Sequence, residues 1–438
     1  MNRTPLEGIE KVYVAIHPVP PDVMGWIILD HPLDIPLLNK AIHETIKEFP
    51  WLASRITLGW GGPFFERVEI SSLPLEVIKV DSIRIDQEPD ILKDFFRTPL
   101  NIFKGPLVKF VLIQSAGNSI LGISVNHTAC DARGMRCLLH ALAERYSALQ
   151  KGEDSGRPLE RQDRSMRVLY RGRPVFEILK MIGFSIRQFF WLLTPGRPDR
   201  LEECTVPVRM NFTALYFHGE EARQIINLSR RSGVTVNDLL LASLVISYTR
   251  CLNRSRLIRF YIPQDLRPLQ KKVEGIFWEE GYGWLPVGNV VGGFFVDFQK
   301  QEMLRHSKLT RLTSAKLGWH KKNQSTLKGN YLICHLPRLP MSMLKWLGRR
   351  EGVNVGGRLL KVTTVFSNIG AIPAEFLKFG NALPVRFDFV MPQVGSAGVA
   401  VAASGVGESI SVVLTHPEGY EPAKRFAEIL REEILKRE

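Results

Sequence analysis

The sequence predicts an α/β protein of two domains. Three observations carry this expectation. The chain has 438 residues, more than one ordinary domain needs and comfortable for two. Strand-type and helix-type stretches follow one another in both halves. Between the halves, residues 152–173 turn polar and basic, the composition of a linker or crossover. Hydrophobic residues make up 45% and charged residues 23%, so there is apolar mass for large cores.

In chain order, residues 12–16 and 24–29 read as short strands around the turn His17-Pro-Val-Pro-Pro-Asp22. Asp34 precedes a helix whose apolar stripe is Ile35, Leu38, Ala41, Ile42, Ile46 and Phe49, and Pro50 ends it. A strand starts over 51–56, Trp60-Gly-Gly-Pro63 turns, and 64–70 and 75–80 continue as strands. Residues 90–96 form a short helix, and the Pro-bounded stretch 98–107 is extended. Residues 107–114 and 121–126 pair across Ala116-Gly-Asn118 as a β-hairpin.

The chemistry concentrates at the end of that hairpin. Leu121, Ile123 and Val125 alternate with Gly122, Ser124 and Asn126, the period of a half-buried strand. It runs into His127-Thr-Ala-Cys-Asp131-Ala-Arg-Gly134. Leu138, Leu139, Leu142 and Tyr146 then recur at helical spacing until Lys151-Gly152. His127 thus stands at a strand-to-helix turn with its side chain free to enter a cleft. An imidazole with an ordinary pKa of about 6.5 is largely neutral at neutral pH and can act as a general base. The other reading is a histidine packed at a turn and bonded to backbone, and the spacing His-x-x-x-Asp alone does not choose.

Beyond the linker, Val175, Leu179, Ile182, Ile186, Phe189 and Leu193 make an apolar helical stripe closed by Thr194-Pro-Gly-Arg-Pro198. Phe176, Met181, Phe184 and Trp191 broaden it, and Lys180, Arg187 and Arg197 add positive charge. Such a stripe is the ordinary pattern of a helix packing between two lobes, and that reading is preferred. A basic amphipathic helix touching a membrane or a greasy substrate is the alternative. Residues 206–217 read as strand and 220–232 as a helix ended by Gly233. Thr235-Val-Asn-Asp238 is a capping-box pattern opening a helix over 236–248. Residues 257–263 form a strand running into Gln264-Asp-Leu-Arg-Pro268, and Gly288-Asn289 opens another over 290–298. A basic helical region follows to about residue 346. A strand over 359–366 ends in Ser367-Asn-Ile-Gly370. Residues 385–389, 398–403 and 410–415 are closing strands, and 421–436 is the last helix.

The formal net charge of +14 points to anionic partners: phosphate-bearing cofactors, acidic carrier proteins, anionic lipid or nucleic acid. Simple solubility explains the same number. Lys and Arg are spread out with no aromatic-interleaved module, so nucleic acid is not expected as a partner. The five cysteines, at 130, 137, 204, 251 and 334, show no C-x-x-C spacing, so no metal site or disulfide framework is expected. Their scatter, together with an N-terminus lacking an apolar signal core, leads us to expect a reducing, cytoplasmic compartment. No run reaches the length of a spanning helix. Neither a P-loop nor a Gly-x-Ser-x-Gly elbow occurs.

Taken together, these landmarks resemble the superfamily of CoA-dependent acyltransferases: chloramphenicol acetyltransferase, condensation domains, alcohol acyltransferases, and the wax-ester and diacylglycerol synthases. The family's His-x-x-x-Asp-Gly stands here as His127-Thr-Ala-Cys-Asp131-Ala132. Phe103-Lys-Gly-Pro-Leu107, Gly233-Val-Thr-Val-Asn-Asp-Leu-Leu240, Asp265-Leu-Arg-Pro268, Gly288-Asn289 and Ser367-Asn-Ile-Gly370 are similar to family blocks in the right order. Three departures stand out. Asn126 occupies the place of the first of two adjacent histidines in condensation domains. Ala132 replaces the motif glycine, with Gly134 two places on. The Asp-Phe-Gly-Trp-Gly pattern of plant-type members is absent, and nothing near Val394-Gly-Ser396 replaces it.

The resemblance implies two chloramphenicol-acetyltransferase-like α/β lobes, residues 1–174 and 205–438, joined by a crossover helix and linker over 175–204, with an active-site tunnel between them. It implies an acyltransferase with His127 as general base, moving an acyl group from acyl-CoA or an acyl-phosphopantetheine carrier protein to an alcohol or amine. No permanently bound cofactor or metal is implied, and a two-lobed chain can work as a monomer. Asp131 is expected to turn from the substrate and pair with an arginine, for which Arg267 is the choice, with a surface arginine in a Pro-ended loop as its equal alternative. Gly134 belongs to the same turn. Ser367 or Asn368 can donate to the oxyanion or simply close a turn. Cys130 is expected to be a packed neighbour. Two further readings stay open: a condensation-type amide or ester synthase, and a silent binding member of the fold, which Ala132 motivates. A lipid-modifying branch would use 176–193 and 341–350 for peripheral membrane contact.

Overall fold

The structure is a computed structural model of the chain. It describes residues 3–16, 21–59, 62–69, 75–87, 90–153, 166–193, 198–201, 209–252, 256–269, 287–303, 306–335, 362–392 and 398–436. The first half carries β1 (Arg3–Pro5), α1 (Gly8–Ile16), β2 (Asp22–Leu29), α2 (Ile35–Glu48), β3 (Ser54–Gly59), β4 (Gly62–Arg67), β5 (Leu75–Lys79), α3 (Asp90–Arg97), β6 (Val108–Gln114), β7 (Ser119–Asn126), α4 (Ala132–Gln150) and α5 (Val175–Leu193). The second half carries β8 (Met210–Phe217), α6 (Glu220–Arg231), α7 (Val236–Cys251), β9 (Leu257–Asp265), β10 (Val291–Gln299), α8 (Lys300–Met303), α9 (His306–Lys322), α10 (Ser325–His335), β11 (Thr364–Ile372), β12 (Pro384–Val390), β13 (Ala400–Val406), β14 (Ser409–Pro417) and α11 (Glu421–Leu435).

Two large mixed sheets form two α/β lobes. The first runs β12-β2-β7-β6-β5, the second β10-β9-β11-β13-β14-β8, and β1-β4-β3 make a small third sheet. β5 lies parallel to β6, and β11 lies parallel to both β9 and β13, while the remaining pairs of the large sheets are antiparallel. Local signals set many of these elements. Asp34 caps α2 by accepting the Leu37 N–H at 2.8 Å. Thr235 and Asp238 form the expected reciprocal capping box on α7. The hairpin pairs β6 with β7 so that Val108 faces Val125 and Gln114 faces Ser119.

One core lies between the five-stranded sheet, α2 and α4, and it reaches Phe212, Phe387 and Phe389 of the second half. A second fills the space between the six-stranded sheet and α6, α7, α9 and α11. A small third cluster joins Met166, Leu169 and Met181 to Leu266, Val290 and Leu327.

Several expectations change in the folded chain. Residues 12–16 belong to a helix, although Val12, Val14 and Ile16 alternate like a strand. The Glu10 carboxylate accepts the Glu7 N–H at 2.9 Å and caps the helix start, a local bond that outweighs the β-branched residues. β3 begins at Ser54 instead of 51, because the Ser54 hydroxyl donates to the Pro50 carbonyl at 2.8 Å and keeps 51–53 in a turn. β7 is buried at all eight positions instead of on one face. A Cβ on Gly122 would stand 2.7 Å from Val111 and 3.0 Å from Leu92, so α3 covers the face the alternation leaves to water. β11 starts later than 359–366 and runs through Ser367 to Ile372, with a register shift between Asn368 and Ala371. Residues 384–390, placed in the second lobe by chain order, stand in the first lobe's sheet beside β2. The expected 341–350 stretch and Val394-Gly-Ser396 lie outside the described residues.

Candidate active site

The turn after β7 is held from below. Asn126 is buried, and its Nδ2 donates to Asp22 Oδ1 at 2.8 Å while its Oδ1 accepts the Thr128 N–H at 3.0 Å. Asp22 Oδ2 also accepts the Leu100 N–H at 2.9 Å. Burial pushes the Asp22 carboxyl above its ordinary range, and these bonds only partly offset it. Asn126 thus serves the turn and does not face the reacting group.

His127 is the next residue, and its backbone N–H donates to the Pro21 carbonyl at 2.8 Å. Its ring meets two residues that sequence reasoning gave no role. Asn289, just before β10, donates from Nδ2 to the carbonyls of His127 and Thr128, the latter at 3.1 Å. That leaves Asn289 Oδ1 facing His127 Nδ1 at 3.2 Å. An amide oxygen only accepts, so Nδ1 carries the proton and Nε2 keeps its lone pair. Tyr13 of α1 stacks on the imidazole with centroids 4.5 Å apart, and its hydroxyl lies 3.3 Å from Nε2. Burial pulls the His127 pKa below its ordinary value, against the opposing Asp131 carboxylate and the Asn289 bond. The ring is therefore a neutral base with a fixed tautomer.

Asp131 turns the other way. It caps α4, with Oδ1 accepting the Gly134 N–H at 2.7 Å and Oδ2 accepting the Val290 N–H at 2.7 Å. Arg267 meets it with Nη1 at 3.1 Å from Oδ2 and Nη2 at 3.0 Å from Oδ1. The same guanidinium donates to Asp265 Oδ1 at 2.9 Å and to the Gly288 carbonyl at 2.8 Å. Burial acts to lower the Arg267 pKa, and the Asp131 and Asp265 carboxylates outweigh it, so the net shift is upward. The Asp131 N–H donates back to Gly288 O at 3.1 Å. The structure thus joins the expected Asp131–Arg267 pair and stitches the two halves of the chain together at the histidine.

Gly134 sits against that stitch. A Cβ there would lie 2.7 Å from Cys130 Sγ and 2.9 Å from Gly288 O. The close approach falls at 134, while Ala132 is the partly buried first residue of α4. Cys130 is fully buried with its thiol pKa raised well above normal by burial, and its Sγ donates to Asp131 O at 3.2 Å, which fits packing and not a nucleophile.

Neither Ser367 nor Asn368 is hydrogen-bonded to His127. Asn368 is engaged elsewhere, with Nδ2 donating to Asn237 Oδ1 at 3.1 Å and Oδ1 accepting the Gly370 N–H at 2.8 Å. Arg133 and Arg136 of α4 hold the same segment through the Ile369 carbonyl, at 2.9 and 3.3 Å. Gly288-Asn289 was visible as a block in the sequence, so a signal for Asn289 existed. Tyr13 had none, because its reach depends on the N-terminal segment being a helix. Among the described residues no cluster of His, Cys, Asp and Glu suits a metal ion.

The family model of the Condensation domain matches residues 24–162. No curated protein matches the chain in sequence. Among solved structures, the first condensation domain of the calcium-dependent antibiotic synthetase, in complex with a substrate analogue, is 15% identical with a TM-score of 0.69, covering 99% of this chain and 97% of that one. The starter condensation domain of rhizomide synthetase in complex with C8-CoA is 15% identical with a TM-score of 0.65, covering 99% and 95%. The epimerization domain from the third module of tyrocidine synthetase B is 13% identical with a TM-score of 0.67, covering 99% and 95%. At these identities the likeness is one of fold. The resemblance to the CoA-dependent acyltransferase superfamily, to which condensation domains belong, is borne out.

Proposed function

We propose that this chain, with its two-lobed condensation-domain fold, is an acyltransferase that uses His127 as general base. The observation that carries the proposal is the Asn289 Oδ1 to His127 Nδ1 contact at 3.2 Å, which leaves Nε2 as a neutral proton acceptor at the meeting of the two lobes. Fold alone does not choose the chemistry, since an epimerization domain shares it.

In the proposed step an acceptor hydroxyl or amine displaces the Tyr13 hydroxyl and hydrogen-bonds to Nε2. Its heteroatom attacks the thioester carbonyl as Nε2 takes its proton. The tetrahedral intermediate then expels the thiolate, the C–S bond breaks, and the imidazolium returns the proton to sulfur. The products are an ester or amide and a free thiol, with no covalent enzyme intermediate. Asp131 and Arg267 position the turn and touch no substrate. The donor is acyl-CoA or an acyl carrier protein; the +14 charge suits either anion. C8-CoA in the rhizomide starter domain favours trying medium-chain acyl-CoA first.

The test is thiol release from a panel of acyl-CoAs with pooled alcohols and amines, for the intact chain and His127→Ala. Acceptor-dependent release that falls about 10²- to 10⁴-fold in the variant supports the proposal. Release unchanged by the mutation removes His127 from the chemistry. Activity only with a loaded carrier protein moves the reading to a condensation-type synthase, and silence with both donors makes the chain a binding member of the fold.

A further inference from the structure

Helix α5 packs by one face only. Met181 is buried in the small third cluster, and the buried Ser185 hydroxyl donates to the Lys328 carbonyl of α10 at 2.6 Å. These contacts fix the helix rotation. The opposite face leaves Val175 at 72%, Phe176 at 57%, Leu179 at 62% and Ile186 at 43% of full exposure, and Trp319 of α9 is 51% exposed. Five large apolar side chains in water on two neighbouring helices are more than scattered surface residues.

Cations predominate among the charges around them. Lys180 and Arg187 are exposed and interleaved with the apolar residues, and Lys180 Nζ lies 5.2 Å from the Phe176 ring centroid. Glu177 is the sole acid of α5, and it is tied to Arg173 at 3.1 Å. Beside the face opens a cavity of about 530 Å³ lined by Phe184, Phe294 and Phe295, with Arg187, Asp297 and Lys316 as its charged lining residues; Lys316 is paired with Glu302 at 2.8 Å, which leaves Arg187 as the cation of the lining nearest the face. Apolar side chains beside cations on one helical face are the arrangement that lies in a lipid headgroup region. A second copy of this chain would bring the same cations against one another, so self-association fits the face less well.

We propose that the exposed face of α5, with Trp319, docks on an anionic lipid surface. This surface is separate from the His127 turn, so the proposal stands or falls independently of the acyl-transfer reading.

The test is co-sedimentation of the full chain with vesicles of phosphatidylcholine alone, or mixed with phosphatidylglycerol. It is run at about 0.1 M and about 1 M salt, where the screening length falls from about 10 Å to about 3 Å. The proposal expects pelleting with the mixed vesicles, several-fold weaker at high salt. Phe176→Ser/Leu179→Ser/Ile186→Ser should abolish it, and Lys180→Glu/Arg187→Glu should remove the preference for phosphatidylglycerol. Should the triple variant not fold, Leu179→Glu, at an exposed position, replaces it. Three results overturn the proposal. The chain fails to pellet with either vesicle, or it pellets equally with the folded variants. In the third, light scattering shows a dimer that the same variants dissolve.

Discussion

Arg267 and Asp131 are 136 residues apart in sequence and meet at 3.0 Å with their side chains 1% and 3% exposed. The pair closes the turn that presents His127 and ties the first half of the chain to the second.

Arg267→Met leaves the Asp131 carboxylate buried without its cation, which costs about 3–5 kcal/mol, whereas Asp131→Asn leaves Arg267 its ion pair with Asp265 at 2.9 Å and should cost less. Both losses are read as a shift in the urea midpoint, and the shift should be larger for Arg267→Met. The double variant Asp131→Leu/Arg267→Met should recover part of the loss. Single variants melting like the parent would remove the pair from the stability of the fold.

Because burial lowers the folded-state pKa of His127 below 6.5, the folded protein binds fewer protons there than the unfolded chain. The stability linked to this group is full above that value and declines as pH falls through it toward the folded pKa. In activity, the acid limb of kcat/KM should lie below pH 6.5, because the base stays neutral there. Asn289→Asp places a carboxylate opposite Nδ1 and should move that limb upward. A limb unmoved by this change would deny Asn289 its positioning role.

Tyr13→Phe keeps the stack on His127 and removes the hydroxyl 3.3 Å from Nε2. In the proposed reaction this is the place the acceptor takes. A hydrogen bond of this kind contributes about 0.5–1.5 kcal/mol, so the acceptor KM should fall by roughly 2- to 10-fold with kcat held. A large fall in kcat would instead put Tyr13 in the proton path.

Gly134→Ala drives a methyl to within 2.9 Å of Gly288 O and 2.7 Å of Cys130 Sγ, and should cost about 1–3 kcal/mol with a larger loss of activity. Ala132→Gly, at the first turn of α4, should cost at most about 1 kcal/mol. Thermal melts of the two compare the positions directly. Equal costs would mean that the motif's close approach is not at 134.

Arg386 and Asp388 are fully buried on β12 and paired at 2.6 and 3.0 Å, with Arg386 also donating to Ile85 O at 2.8 Å and the Ser411 hydroxyl bonded to Asp388. They hold the strand that crosses into the first lobe's sheet. Asp388→Asn should therefore cost about 3–5 kcal/mol, with limited proteolysis releasing the β12 segment first. Unchanged protease resistance would count against this anchoring.

Most of the fold was legible wherever a signal is local. Asp34, the Thr235–Asp238 box and the β6–β7 hairpin act within a few residues, so their elements stand close to where the sequence puts them. Some misses arise from distant contacts. A strand's second face, as at Gly122, is buried by an element far away in the chain, and period-two patterning cannot report it. The 12–16 segment shows the limit from the other side, since one carboxylate cap overrode the β-branched pattern. For Ser367 and Asn368, the residue types allowed an oxyanion donor. The Asn368 amide is committed to Asn237 and Gly370, and Ser367 makes no bond to His127.

The sequence by itself determined that His127 stands at a strand-to-helix turn and that α/β units fill both halves; the structure starts that helix at Ala132, with Asp131 as its cap, earlier than the helical spacing after Gly134 suggests. Periodicity and capping are written in near neighbours, and those features need nothing more. Only the tertiary structure decided which nitrogen of His127 keeps its lone pair, because that rests on Asn289 arriving from 162 residues away. It alone brought Tyr13 over the ring and β12 into the first lobe's sheet. Such contacts depend on how packed elements close on one another, and no short-range pattern encodes that closure.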